Sequence, residues 1–320
     1  MPRHQCKTAF REIWGLFYIG GVIYPGRDMV HRRRALVQVH LAVFLFGLAG
    51  LFGKGLVWPA TAIVLGRTGL AAGTLGLGLI WQRQPLWPQA GRAGLGLALL
   101  GVLLAFHWVS FFRSIQLSTV ALGLLTFSSF PVFVTVLEPI GFGTSWRWRD
   151  GGMALLVVLG VALVVPEYRL GSEVTLGAIW GLLSGLSFAL LQLLNRGYRQ
   201  HCAALTIAFQ QNLFACLSLL TWIAITPLPK FDMTGTDWLW LLVLGVLCTA
   251  VAHTLFIESL SVLRTQVASV ISGLEPVYGI ALAVLLLGEI PTLRTVLGGG
   301  LILGTTMVAS WQGSRETGQT

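Results

Sequence analysis

Residues 268–289 read ASVISGLEPVYGIALAVLLLGE, an almost unbroken apolar run interrupted near its middle by one carboxylate, Glu275, and one proline, Pro276. As a helix the run is about long enough to cross the ~30 Å hydrocarbon core of a bilayer. A carboxylate near mid-depth costs roughly 2.5–3.5 kcal/mol on insertion scales, so Glu275 must be protonated, paired, or turned toward water inside the protein. Pro276 has no N–H, which frees a carbonyl in the preceding turn to face a cavity or a neighbouring helix.

The rest of the chain has the same character. Hydrophobic residues make up 55% of the 320 and charged residues only 10%, and the mean hydropathy is +0.79. A soluble fold of this size would lack the polar surface to cover itself. Apolar runs recur at roughly 36–54, 61–81, 93–112, 117–138, 151–166, 174–195, 203–226, 237–258, 266–287 and 292–311. This pattern predicts an all-α polytopic membrane protein of about ten transmembrane helices.

The net charge of +9 does not mark a nucleic-acid-binding face, because the basic residues alternate between loops. Arg32, Arg33, Arg34, Arg83, Arg92, Arg147, Arg149, Arg196, Arg199, Arg264 and Arg315 fall on one side, and Lys54, Arg113, Arg169, Lys230 and Arg294 on the other. The richer side is cytoplasmic by the positive-inside rule, which places both termini there. Residues 1–34 form an N-terminal cytoplasmic or interfacial segment, and Met29 is a second candidate start. Cys6, Cys202, Cys216 and Cys248 are scattered, without the spacing of a disulfide frame or a metal knuckle.

The two halves resemble each other. Residues 113–137, RSIQLSTVALGLLTFSSFPVFVTVL, align without gaps on 258–282, ESLSVLRTQVASVISGLEPVYGIAL, pairing Ser114 with Ser259 and Pro131 with Pro276, each proline expected to break its helix. The repeats are placed at 35–170 and 171–312, followed by a tail at 313–320. A repeat of five spans is odd, so the second copy enters the membrane from the opposite side, and inverted repeats place a substrate site near mid-membrane at their interface.

Lys54, Pro59 and Arg67 in GKGLVWPATAIVLGRTGLAAG, the SFFRSIQLSTVALG pattern before Pro131, and LEPVYGIALAVLLLGE followed by TLRTVLGGGLILGT resemble the EamA branch of the drug/metabolite transporter superfamily. The resemblance covers nearly all of 35–311 and is most specific in the last two helices. It implies a ten-helix, inverted-repeat carrier of the inner or plasma membrane, often an exporter of amino acids or other small metabolites. One departure stands out: Phe130 occupies the place of Glu275 in the first repeat, and FGT (142–144) replaces the LGE ending, so a symmetric acidic pair is not available.

Glu275 is the leading site candidate, as a proton carrier or a partner for a substrate amine, against a structural hydrogen bond to a neighbouring helix. Helix nine is expected to face the cavity from Glu275 to Gly279. Arg67, inside the second run, either pairs with a substrate anion or snorkels to loop carbonyls. Lys54 and Arg113 read as interfacial anchors. His107, Trp108 and His253 offer titration and stacking in a cavity, or simply pack. Ser128 and Ser129 line the cavity or cap carbonyls freed by Pro131. Glu138, Glu258 and Glu289 fall at run ends, where carboxylates are cheap. The glycine spacings Gly177, Gly181, Gly185 and Gly300, Gly304 read as helix-packing seams.

No HExxH, GxSxG or phosphate-cradling loop is present, and no metal or cofactor site is expected. The reading is a secondary transporter of a small metabolite working by alternating access, with protons as a candidate coupling ion. An intramembrane transferase using His107 or His253 with Glu258, and a non-transporting sensor or scaffold, are the alternatives.

Overall fold

A computed structural model describes residues 29–87, 92–142, 148–166, 169, 171–199, 202–263 and 265–316. Residues 1–28, the greater part of the 1–34 segment read above as cytoplasmic or interfacial, lie outside them. The described residues contain helices and no strand. The first half comprises α1 (Met29–Gly55), α2 (Ala60–Trp81), α3 (Arg92–Leu117), α4 (Val120–Phe127), α5 (Phe130–Phe142) and α6 (Trp148–Val164). The second comprises α7 (Glu173–Arg199), α8 (Ala204–Ile225), α9 (Gly235–Gly245), a π-helical segment (Val246–Val251), α10 (Ala252–Ser259), α11 (Thr265–Ser272), α12 (Glu275–Leu287) and α13 (Leu293–Glu316).

Among the described residues, seven helical runs are long and apolar enough to cross a membrane, and shorter apolar helices at Gly151–Val164, Glu275–Leu287 and Leu293–Val308 accompany them. The chain is a multi-pass membrane protein. Large apolar side chains such as Leu77, Val158 and Leu285 lie exposed on its flanks, where lipid rather than water is the natural solvent.

A shift of 145 residues carries the bounds of α4 onto α11 and those of α5 onto α12, so both halves break the same helix at the same place. The sequence supplies the reason. Pro131 and Pro276 each sit one residue inside the helix that follows the break, where the missing N–H is one that a helix N-terminus leaves unpaired anyway. Proline therefore starts a new helix here and does not kink a continuous one. Thr119, whose hydroxyl accepts from Leu122 N at 3.1 Å, caps α4 in the same way that Thr234 and Asp237 close a capping box on α9.

Each half packs chiefly on the other. The α3 helix lies along α7 and α8, and its counterpart α9–α10 lies along α2 and α1. The broken α4–α5 rests on α7 as α11–α12 rests on α1, while α2 pairs with α8 and α6 with α13. Exchanging the halves maps this pattern onto itself.

Small residues make the crossings close. A Cβ on Gly47 of α1 would stand 3.0 Å from the Glu275 carbonyl, and one on Gly185 of α7 would stand 2.8 Å from the Phe127 carbonyl. The break of each half is thus seated on a glycine of the other half's first helix. Gly177 and Gly181 continue the predicted seam on α7. The predicted Gly300–Gly304 seam is absent, because both would add a Cβ into open space; Gly160 and Gly298 form the α6–α13 crossing instead.

Candidate functional site

Five predicted residues, contributed by both halves, line one cavity: Arg67 on α2, His107 and Trp108 on α3, His253 on α10, and Glu275 at the first turn of α12. All five are at least nine-tenths buried. Phe111, Phe127, Phe188 and Phe256 complete an aromatic wall. The space measures about 30 Å³, room for roughly a water molecule or two. Anything larger than that does not fit the cavity as it stands.

Arg67 is 1% exposed and does not reach a loop, so the snorkelling alternative is excluded by its burial. Its Nε donates to Thr249 Oγ1 at 2.9 Å and its Nη2 to the Cys248 carbonyl at 3.4 Å. The guanidinium carbon lies 4.0 Å from the Trp108 ring centroid, a cation–π contact strengthened by its burial away from bulk solvent. The π-helical winding is what presents these acceptors. Thr249 Oγ1 donates in turn to Leu244 O, five residues back, at 2.6 Å, and a π-bulge turns such groups off the regular ladder toward a neighbour.

Glu275 is 4% exposed and sits within Coulombic reach of Arg67. The expectation that the ninth apolar run (266–287) faces the cavity from Glu275 to Gly279 is corrected: of these residues only Glu275, at the start of α12, lines it. Tyr278 packs edge-on against Phe44 at 5.7 Å, and Gly279 lies against Gly47 of α1, because the close glycine crossing turns that face of α12 into α1.

In the first half the equivalent position is filled. Phe130 is fully buried, stacks on Phe127 at 5.3 Å and meets Phe188 edge-on at 5.0 Å. Ser128 Oγ donates to Leu124 O at 2.9 Å and Ser129 Oγ to Thr126 O at 2.8 Å. Both hydroxyls close the end of α4, and neither lines the cavity. Glu258, the partner in the transferase alternative, is not in the lining either.

Gln192 and Asn195 of α7 also line the cavity, and sequence reasoning missed them because they stand near the end of an apolar run, where polar residues look interfacial. A signal was present: Phe188, Leu191, Gln192 and Asn195 recur at helical spacing and share one face. Behind them Gln211 Nε2 of α8 donates to Asn195 Oδ1.

At the α3–α4 connector two charged groups act together. Lys54 Nζ donates to Ser118 O at 2.6 Å, and the Glu289 carboxylate accepts from Val120 N at 2.9 Å. Lys54, read as an anchor, is thus a bonded strut. Glu289, read as an inexpensive end charge, ties the end of α12 to the positive N-terminus of α4. Gly288, at φ 67°, turns the chain so that Glu289 can do so.

Among known proteins, the family model for the EamA-like transporter family matches residues 33–165 and again 175–311. A protein of Bacillus subtilis strain 168 described as the uncharacterized transporter YxxF is 25% identical over 282 residues, covering 86% of this chain and 88% of that protein. An uncharacterized transporter of Archaeoglobus fulgidus is 30% identical over 220 residues, covering 68% of this chain and 76% of its own length. One crystal structure has the same fold, with a TM-score of 0.63 at 17% identity over 88% of this chain and 98% of that one.

Proposed function

Because the chain belongs to the EamA-like transporter family, we propose that this membrane transporter is a secondary carrier that exports a small metabolite, an amino acid or a related compound. It spans the inner or plasma membrane about ten times with both termini cytoplasmic, and it works by alternating access between two inverted repeats at about 35–170 and 171–312. The observation that carries the reading is the convergence of Arg67, His107, Trp108, His253 and Glu275, drawn from both halves, on one contracted cavity.

The two-fold pattern of packing supports the mechanism. When each half adopts the other's conformation, access to a site between them passes from one face of the membrane to the other. In that cycle Arg67, held by the π-helical segment and Trp108, supplies a fixed cation for an acidic group. Glu275 holds a proton or a substrate ammonium, and the aromatic wall takes the apolar part. The Lys54 and Glu289 contacts close the non-cytoplasmic end and part when that end opens.

Purified protein in proteoliposomes, loaded with isotopically labelled amino acids and related compounds, tests the proposal. Flux above protein-free liposomes for at least one compound, with saturation, is expected. Absence of flux for the metabolites that accumulate in cells lacking the gene would overturn it.

A further inference from the structure

We propose that the two cavity histidines are held as neutral rings in opposite tautomers, His107 presenting a bare Nε2 and His253 an Nε2–H, with Asn212 as the positioning residue that sets this difference. His107 Nδ1 lies 3.0 Å from the Ser184 carbonyl oxygen. A carbonyl cannot donate, so a bare Nδ1 at that distance would set two lone pairs against each other, and the ring carries a proton there; the Arg67 guanidinium lines the same buried cavity and disfavours a second cation beside it, which leaves Nε2 bare. The Ser184 hydroxyl, also 3.0 Å from Nδ1, belongs to the same residue and does not remove that repulsion.

His253 faces the reverse arrangement. Its Nδ1 lies 3.3 Å from Asn212 Nδ2. The amide orientation is not arbitrary, because the same Nδ2 donates to the Ala208 carbonyl at 2.8 Å. One amide hydrogen is used there, and the second points to His253 Nδ1, which must then be the acceptor. The ring proton of His253 is left on Nε2.

Both rings line the cavity, with Trp108 between them at 6.5 Å from His107 and 5.7 Å from His253. Two residues that look alike in the sequence therefore differ at Nε2, the nitrogen that neither Nδ1 contact uses: an acceptor on the first half's ring and a donor on the second's. On the reading that this cavity is the transport site, the pair favours a solute that offers a donor to one ring and an acceptor to the other. A carboxamide edge is the simplest such group. A solute with acceptors alone would leave the His107 lone pair unmatched in a dry cavity, where an unmade hydrogen bond is costly.

The test is imidazole ¹⁵N NMR of histidine-labelled protein in lipid bilayers, with signals assigned through His107→Gln and His253→Gln. The expected spectrum has His107 protonated at Nδ1 and His253 at Nε2. Asn212→Leu should remove the preference at His253 and leave His107 unchanged; Asn212→Ala serves if the leucine variant does not accumulate. The same tautomer on both rings, or a His253 tautomer indifferent to either Asn212 variant, would overturn the proposal. Transport is not part of the readout, so failure of the carrier reading and failure of this one are separately visible.

Discussion

The α4–α5 and α11–α12 breaks have the same backbone plan and opposite chemistry. Each consists of an eight-residue helix, a two-residue turn and a thirteen-residue helix with proline in its first turn. At the first residue after the turn, Phe130 fills its space with stacked rings, whereas Glu275 puts a carboxylate into a cavity lined with aromatics. The fold thus rests on what the repeats share, and the capacity to hold a charged group rests on where they differ.

Altering the filled break should have the largest effect on stability. Phe130→Ala removes a fully buried ring from its contacts with Phe127 and Phe188. A loss of about 3 kcal/mol is expected, read as a lower unfolding midpoint in detergent. A midpoint unchanged from wild type would mean that the first break is not a packing device.

The glycine seats come next. Gly47→Ala drives a methyl against the Glu275 carbonyl and Gly279 N, both backbone groups 3.0 Å away. It should cost about 1–3 kcal/mol, whereas Gly304→Ala, which enters open space, should be neutral or slightly stabilising. Equal effects from the two would break the link between the crossings and the breaks.

Glu289→Gln should have a smaller effect of about 1 kcal/mol or less, since the amide keeps an acceptor for Val120 N but loses the charge that complements the α4 N-terminus. Its signature is kinetic. Single cysteines at Gln116 and Phe231, which line a cavity of about 400 Å³ beside Lys54, should react faster with a membrane-impermeant thiol reagent in this variant. Unchanged rates would show that the Glu289 contact does not hold this end closed.

Much of the architecture was legible because bilayer physics acts on runs of residues. Run length gave the helical membrane class, and the two proline-marked stretches located the breaks. Isolated charges inside runs picked out Arg67 and Glu275, which share the cavity. What one-dimensional reading could not supply was facing. Whether Gly300 looks at a helix or at lipid depends on a crossing made by Gly160, some 140 residues away. That Arg67 is met by Thr249 depends on one stretch winding as a π-helix. Gln192 and Asn195 were hidden because an amide near the end of a span is inexpensive whichever way it points. The polarity of the histidines lay outside the reach of composition altogether, since it follows from partners as remote as Ser184 and Asn212.

The central claim is that the second break carries a working carboxylate which the first break lacks, and Glu275→Gln tests it most directly. Glutamine keeps the shape and a hydrogen-bonding capacity while removing the titratable charge, so the variant should insert and reach normal abundance. Solute flux in proteoliposomes, measured across pH for wild type and variant at equal protein, is the measurement. The account predicts at least a tenfold loss of flux, equivalent to about 1.4 kcal/mol in the limiting step, or a flux that no longer varies with pH. Wild-type flux and a wild-type pH profile in a normally abundant Glu275→Gln protein would contradict it.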